Sequence, residues 1–273
     1  MAKSELPESD PVWREYLDAA LPIAKAAGDM LAENFGKART IELKGVIDLV
    51  TEMDRRAEEL IVTRLAGSFP NVAVIAEEGS SRTSTSDLAW YVDPLDGTTN
   101  YAHGLPIFCV SLGLLKGVTP ICGIVYHPMG REMFTGLRGQ GAFLDGHRLQ
   151  VSTTTELSNA ILATGFPYDI RKSELDNLDH FARFAKKARA IRRMGAAALD
   201  LAWTAAGRYD GFWEMKLSPW DCIAGALMVQ EAGGVVTDFS GRPFDPLKGQ
   251  AIAANATLHP QIAEIVAQGR IPD

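Results

Sequence analysis

Apolar side chains recur at helical spacing over residues 11–35, at Trp13, Leu17, Ala20, Leu21, Ala24, Ala27, Met30 and Leu31, and Gly36 follows as a stop. This stripe predicts an amphipathic helix, with Pro22 as a point where it could kink. A second helical run covers about 55–65 and ends before Gly67. The pattern then shortens into apolar runs at 72–76, 88–92, 108–115, 121–126 and 133–136, which predict strands. Gly/Pro turns such as 117–120 and 128–130 separate them. Beyond about residue 150 the rhythm changes. A strand at 160–164 precedes a basic helix at 175–187, then helices at 196–206 and 220–232, short strands at 211–213, 235–237 and 251–254, and a last helix at 260–268. No long linker, low-complexity tract or internal repeat interrupts the chain. The order implies a layered α/β or α+β architecture, with a boundary near 150 dividing residues 1–150 from 151–273.

Composition narrows the class without choosing a function. A chain of 273 residues with 47% hydrophobic and 22% charged residues can bury a large core without covalent staples. Lys and Arg total 27 against 34 Asp and Glu, a net −7 that argues against nucleic acid as a required partner. Cys109, Cys122 and Cys222 are widely spaced, odd in number and outside any C-x-x-C, so they read as reduced structural thiols in a cytoplasmic setting. The opening MAKSELPESDP lacks the apolar stretch of a signal peptide, and no run of 18 apolar residues suggests a membrane span.

Carboxylates in four segments carry the candidate chemistry. In WYVDPLDGTTN (90–100) an apolar strand runs into Asp93, Pro94 fixes the backbone, and Asp96 follows three positions on, with the Leu95 carbonyl between. Two carboxylates and a carbonyl on one tight turn form an oxygen-only ligand set that suits Mg²⁺ rather than zinc. Gly97 then allows close backbone approach to a ligand. Asp-Pro and Asp-Gly are also ordinary turn formers, and it is the full string DPLDGTTN after a buried strand that favours the site. Glu77-Glu78 ends the strand at 72–76. Paired acids there repel each other unless a cation is near, although such a pair is commonly a solvated loop. In Ser218-Pro219-Trp220-Asp221 the bland reading is a capping box, with Ser218 as N-cap, Pro219 at N1 and Asp221 at N3. In DLVTEMD (48–54), Thr51 or Asp54 could cap the second helix, or Asp54 could hold or activate a water.

Together these segments resemble the inositol monophosphatase family. DPLDGTTNYAHG (93–104) and PWDCIAGALMVQEAGG (219–234) match its signatures, Glu77-Glu78 and DLVTEMD match its shorter motifs, and the four occur in family order across nearly the whole chain. The resemblance implies an αβαβα sandwich of the sugar-phosphatase type. It implies one Mg²⁺ on Glu77, Asp93 and the Leu95 carbonyl, a second on Asp93, Asp96 and Asp221, and a third held more weakly through water by Glu77. The implied catalytic set is Thr98, Asp54 and Glu77, with Thr98 and Asp54 orienting and deprotonating the attacking water. The N–H groups of Gly97 and Thr98 would contact phosphate at a helix N-terminus, and Ala197 and Glu214, with Asp96 and Asp221, would hold substrate. A lithium-sensitive homodimer acting on a small phosphorylated polyol, without a covalent phosphoenzyme, completes the expectation.

Other phosphatase chemistries lack their motifs. No cysteine is followed by arginine six positions later, Asp93 is not part of an Asp-x-Asp, and neither G-x-S-x-G, G-x-x-x-x-G-K nor G-x-G-x-x-G occurs. Within the family, histidinol phosphate, fructose 1,6-bisphosphate and 3′-phosphoadenosine phosphate are rival substrates, and Thr98-Thr99-Asn100 with Glu214 favours the inositol phosphate type. A rival of another class is a non-catalytic or dual-role binding protein in RNA-related regulation.

Overall fold

Alternation along the strands sorts the apolar residues into three separate cores, and helices fill the spaces between and outside two sheets. The computed structural model describes residues 11–37, 41–43 and 49–271. Residues 1–10, Asp48 and the side chain of Thr51, on which the leader and capping readings rest, lie outside the described residues.

Helix α1 (Pro11–Asn34) carries Pro22 within it. A short pair, β1 (Ile41–Leu43) and β2 (Leu49–Thr51), leads into α2 (Glu52–Ser68). Then come β3 (Ala73–Ala76), β4 (Leu88–Asp96), α3 (Thr98–Ala102), β5 (Cys109–Lys116), β6 (Thr119–His127), β7 (Glu132–Leu137), β8 (Gly141–Leu144) and β9 (His147–Arg148). The remainder holds β10 (Ile161–Thr164), α4 (Leu178–Phe184), β11 (Ala190–Arg192), α5 (Ala197–Ala205), β12 (Gly211–Met215), α6 (Pro219–Glu231), β13 (Val235–Thr237), β14 (Gln250–Ala254) and α7 (His259–Val266). Strands β3 to β9 form a seven-stranded sheet in chain order, and the second sheet runs β11-β10-β12-β14-β13.

The first core packs Trp13, Leu17, Leu31, Ile61 and Leu65 of α1 and α2 against Val110, Leu112 and Leu114 of β5. The second joins Leu199 and Leu201 of α5 and Ala224 and Met228 of α6 to Phe134 of β7 and to Phe212, Ala251 and Ala253 of the second sheet. The third covers the outer face of that sheet, where Trp213, Ile252 and Ala254 meet Phe184 of α4 and Ile262 and Val266 of α7. The layers are therefore α1/α2, sheet, α5/α6, sheet, α4/α7, an αβαβα sandwich. Phe212 and Trp213 are neighbours in sequence and face opposite cores. A one-residue slip of β12 would exchange them, and burying each aromatic contributes about 1.5–3 kcal/mol, so register is strongly specified.

Small residues place α6. Gly113, Gly123 and Gly136 stand side by side on β5, β6 and β7. A Cβ on Gly123 would lie 2.6 Å from Cα of Ala224, and one on Gly136 would lie 3.0 Å from Met228 Cγ. This groove lets α6 approach the sheet backbone, which carries the start of the helix toward the end of β4. Cys109, Cys122 and Cys222 are all buried free thiols, and burial pushes each of them up in pKa, as inert structural thiols require.

Candidate active site

Two parallel strands bring the first acids together. β3 pairs with β4 so that Ala76 faces Val92, and the Glu77 N–H donates to the Val92 carbonyl at 3.2 Å. Glu77 thus leaves its strand beside Asp93. A buried residue that the sequence reading passed over fixes this loop: the Glu58 carboxylate of α2 accepts from the N–H groups of Glu78 (2.6 Å) and Ser80 (2.8 Å).

After Asp93 the chain does not form the tight turn expected of Asp-Pro-x-Asp-Gly. It remains in β4 and bulges, because Asp93 pairs with Ser111 while Asp96 pairs with Cys109, three steps on one strand against two on the other. The Leu95 N–H donates to Asp93 Oδ1 at 2.9 Å. Gly97 has φ 97°, and a Cβ there would lie 2.9 Å from the Ile107 carbonyl, so backbone conformation and packing also demand glycine. Helix α3 opens at Thr98. The Thr98 hydroxyl lies 2.8 Å from Asp54 Oδ1 and 3.0 Å from the Leu95 carbonyl, so Asp54 faces Thr98 instead of serving only as a helix-capping acid. Asn100 is 7% exposed and donates to the carbonyls of Ile107 (2.7 Å) and Met194 (2.8 Å). It ties α3 to the segment that opens α5.

Two helix starts complete the arrangement. The Ala198 N–H in the first turn of α5 donates to Asp96 Oδ2 at 2.8 Å. At α6 the Ser218 N–H donates to Asp221 Oδ2 at 2.7 Å, and Ser111 Oγ donates to the Trp220 carbonyl at 2.8 Å. Asp221 therefore does cap α6, and it also lines the pocket; the two readings are compatible. Glu77, Asp93, Leu95, Asp96, Gly97, Thr98, Ala197, Glu214 and Asp221 all line one pocket, with Asp54 reached through Thr98. Arg193, Asp200, Tyr168 and Lys216 line it too. None of these four belongs to a segment that stood out in the sequence, and only their placement by the fold identifies them.

The field in this pocket is strongly negative. Asp93 is 2% exposed; burial, then Glu77, Asp96 and Asp221, hold its carboxyl well above the usual carboxylate range. Burial also raises Asp96, to about 6, against the lowering effect of the Ala198 N–H. Asp221 is raised by burial and then by Asp96 and Glu77. Glu214 is pushed up to about 8 by burial and Asp96, with Arg193 opposing, and Asp200 is raised by burial and by Glu214. Among the described residues no three acidic, histidine or cysteine side chains are drawn together into a finished coordination shell. What the carboxylates share is one pocket and one another's repulsion. Oxygen donors whose pKa is raised by burial, and at Asp93 and Asp221 by neighbouring carboxylates, fit a hard divalent cation, because its charge would favour their ionised forms.

The profile of the inositol monophosphatase family matches residues 12–270. The chain belongs to the inositol monophosphatase family. It is 44% identical over 248 residues to Nus factor SuhB of Pseudomonas aeruginosa, covering 88% of this chain and 91% of that one. Inositol-1-monophosphatase of Synechocystis is 40% identical over 254 residues, covering 92% and 88% respectively. Among solved structures, the extragenic suppressor protein SuhB of Bartonella henselae superposes with a TM-score of 0.87 at 37% identity, over 93% of this chain and 99% of that one. The inositol monophosphatase of Anabaena gives 0.86 at 36% identity, over 94% and 97%. The inositol monophosphatase family is metal-dependent, and the sandwich expected from the sequence is the fold these solved structures share. No helix among the described residues is long and apolar enough to cross a membrane.

Proposed function

We propose that this protein hydrolyses a small phosphate monoester, myo-inositol 1-phosphate being the favoured substrate, to the free polyol and inorganic phosphate. The observation that carries the reading is the convergence of Glu77, Asp93, Asp96 and Asp221 on one pocket, where Glu77, Asp96 and Asp221 raise the pKa of Asp93 and where Asp96 and Glu77 raise that of Asp221. Such a pocket repels a phosphate dianion until cation charge is added, so the cation belongs to the substrate site. Glu77, Asp93, the Leu95 carbonyl, Asp96 and Asp221 would hold two Mg²⁺ ions, with Glu77 serving a third through water. Bound there, the ions supply Lewis-acid polarisation of the phosphoryl oxygens and neutralise charge on the leaving oxygen.

The chain's own residues handle the proton. With its hydroxyl hydrogen directed at Asp54 Oδ1, Thr98 leaves oxygen lone pairs free to accept from a water. As the water oxygen bonds to phosphorus in line with the ester oxygen, its proton passes to Thr98 Oγ1 while the Thr98 proton passes to Asp54. The P–O ester bond breaks and the polyol oxygen takes up a proton from solvent. The N–H groups of Gly97 and Thr98 orient the phosphate, and Glu214 and Ala197 contact the polyol. No residue forms a bond to phosphorus. A phosphate-release panel of inositol 1-phosphate, histidinol phosphate, fructose 1,6-bisphosphate and 3′-phosphoadenosine phosphate tests the substrate; a preference for any of the other three overturns the inositol assignment.

The 44% identity to a protein named Nus factor SuhB supports a second reading, in which the chain has an added regulatory role. An Asp93→Asn variant that lost phosphatase activity yet kept a cellular phenotype would separate the two roles.

A further inference from the structure

Two loops contribute to the wall of the pocket, one after β10 (Phe166, Pro167, Tyr168) and one between β12 and α6 (Lys216, Leu217, Ser218). At the floor they are fixed by the sheet. Thr164 pairs with Trp213, and the Glu214 carboxylate lies where a side chain on Gly165 would go. At the rim a lysine side chain joins them. Lys216 Nζ donates to both carboxylate oxygens of Asp169 (2.9 and 2.7 Å) and to Ser173 Oγ (2.8 Å). The turn it grips is closed on itself, with the Ile170 N–H on the Pro167 carbonyl at 3.0 Å and the Ser173 N–H on the Asp169 carbonyl at 3.0 Å. Pulling on Asp169 and Ser173 therefore places Pro167 and Tyr168.

The backbone at Lys216 gives a second, independent observation. Its φ is 59°, in the left-handed region that glycine occupies freely and lysine does not. In this conformation, two positions after Glu214, the Lys216 side chain reaches across to Asp169 and Ser173. Lys216 is 28% exposed and Asp169 50%, so the pair is partly screened, but three donor contacts on a fixed turn give it more purchase than a lone surface pair.

Resting on the phosphatase reading, we infer that the Lys216–Asp169–Ser173 latch sets the width of the substrate pocket and so selects compact polyol phosphates over bulkier esters. Lys216 is thus a positioning residue that acts on the wall. The test compares kcat/KM on inositol 1-phosphate, adenosine 2′-monophosphate and p-nitrophenyl phosphate for wild type, Asp169→Asn, Lys216→Gly and the double variant. Each single variant is expected to lower the ratio of inositol to adenosine ester about tenfold, through KM. Asp169→Asn should leave kcat on p-nitrophenyl phosphate within about twofold, and the double variant should be no worse than either single one, because both remove the same latch. Lys216→Gly also removes the strain, so its Tm should not fall, and 0.5 M salt should move the wild-type ratio toward that of the variants. An unchanged ratio, equal losses on all three esters, or multiplicative losses in the double variant would overturn the latch alone. A wild type that releases phosphate from none of the three would overturn the phosphatase reading and the latch's selectivity with it.

Discussion

The Thr98 hydroxyl and the Asp54 carboxylate, 44 positions apart in sequence, meet at 2.8 Å where α3 opens against the first turn of α2. Asp54 is 1% exposed, so this contact is sheltered from solvent competition. In the proton path proposed above each depends on the other. Thr98→Ala and Asp54→Asn are each expected to lower kcat by about 10²–10⁴-fold with a much smaller change in KM, and the double variant should lose little more than the worse single one. Steady-state kinetics on the four variants checks this, and additive losses would show that the two residues act separately.

Glu58 is expected to govern metal affinity without touching metal. Its carboxylate holds the N–H groups of Glu78 and Ser80 and so aims the loop that carries Glu77. Glu58→Gln exchanges a charged double acceptor for one carbonyl and one NH₂, leaving one of the two N–H groups without its acceptor. The Mg²⁺ concentration for half-maximal activity should rise about 10–100-fold, the usual range for a residue that orients a ligand. Titration with Mg²⁺ measures it, and an unchanged midpoint would mean that the loop holds its position by other contacts.

Gly123→Val should be destabilising because its Cβ meets backbone, and backbone cannot rotate away. Overpacking of this kind costs about 1–3 kcal/mol. The Ala224 carbonyl would also lie 2.9 Å from the added Cβ. Since α6 carries Asp221, a displaced helix should weaken Mg²⁺ dependence along with stability. Chemical denaturation of the variant with and without Mg²⁺ reads both, and wild-type stability would show that the groove is not close-packed.

Glu132 provides a pH-dependent contribution remote from the pocket acids. Its carboxylate receives the Arg208 guanidinium in a two-pronged pair, one arm at 2.9 Å, with His127 Nδ1 at 3.3 Å. The Arg208 hydrogen bond is the largest cause holding Glu132 below the ordinary glutamate value. A lowered folded-state pKa means that this contribution is complete above the unfolded value, about 4.3, and is lost as pH falls through the folded one. The Tm gap between wild type and Glu132→Gln should therefore be present at about pH 5 and shrink below about pH 4. A gap that persisted undiminished well below about pH 4 would contradict the pairing.

Most of the architecture was legible because local pattern and tertiary role agree. The stripe of α1, the central strand runs and the starts of α5 and α6 fall within a few residues of their sequence readings. The exceptions have nonlocal causes. Strands β8, β9 and β11 are short and gain their identity only by pairing with β7, β8 and β10 respectively. The basic helix expected over 175–187 shrinks to Leu178–Phe184, since Asn177 adopts φ 67° and its amide is drawn to Thr164 and Gly165. The Asp93–Asp96 segment suggests a turn by its residue types, whereas β5 holds it in the sheet as a bulge. In the pocket, acids inside dense motifs were visible. Glu58, Asp200 and Lys216 were not, because each is an isolated polar residue whose meaning depends on a partner far along the chain. Asn100 shows the reverse case. The Thr98-Thr99-Asn100 string favoured the inositol reading, yet Asn100 works as a buried tie between α3 and the segment before α5.

The central claim is that cation charge on the Glu77, Asp93, Asp96 and Asp221 cluster makes this pocket a phosphatase site. Phosphate release from inositol 1-phosphate, followed with Mg²⁺, with excess EDTA, and in Asp93→Asn with Mg²⁺, tests it most directly. The expected result is turnover with Mg²⁺, none above background in EDTA with recovery on adding Mg²⁺ back, and a loss of at least about 10³-fold in Asp93→Asn. Undiminished phosphate release in EDTA, or in Asp93→Asn, would contradict the account.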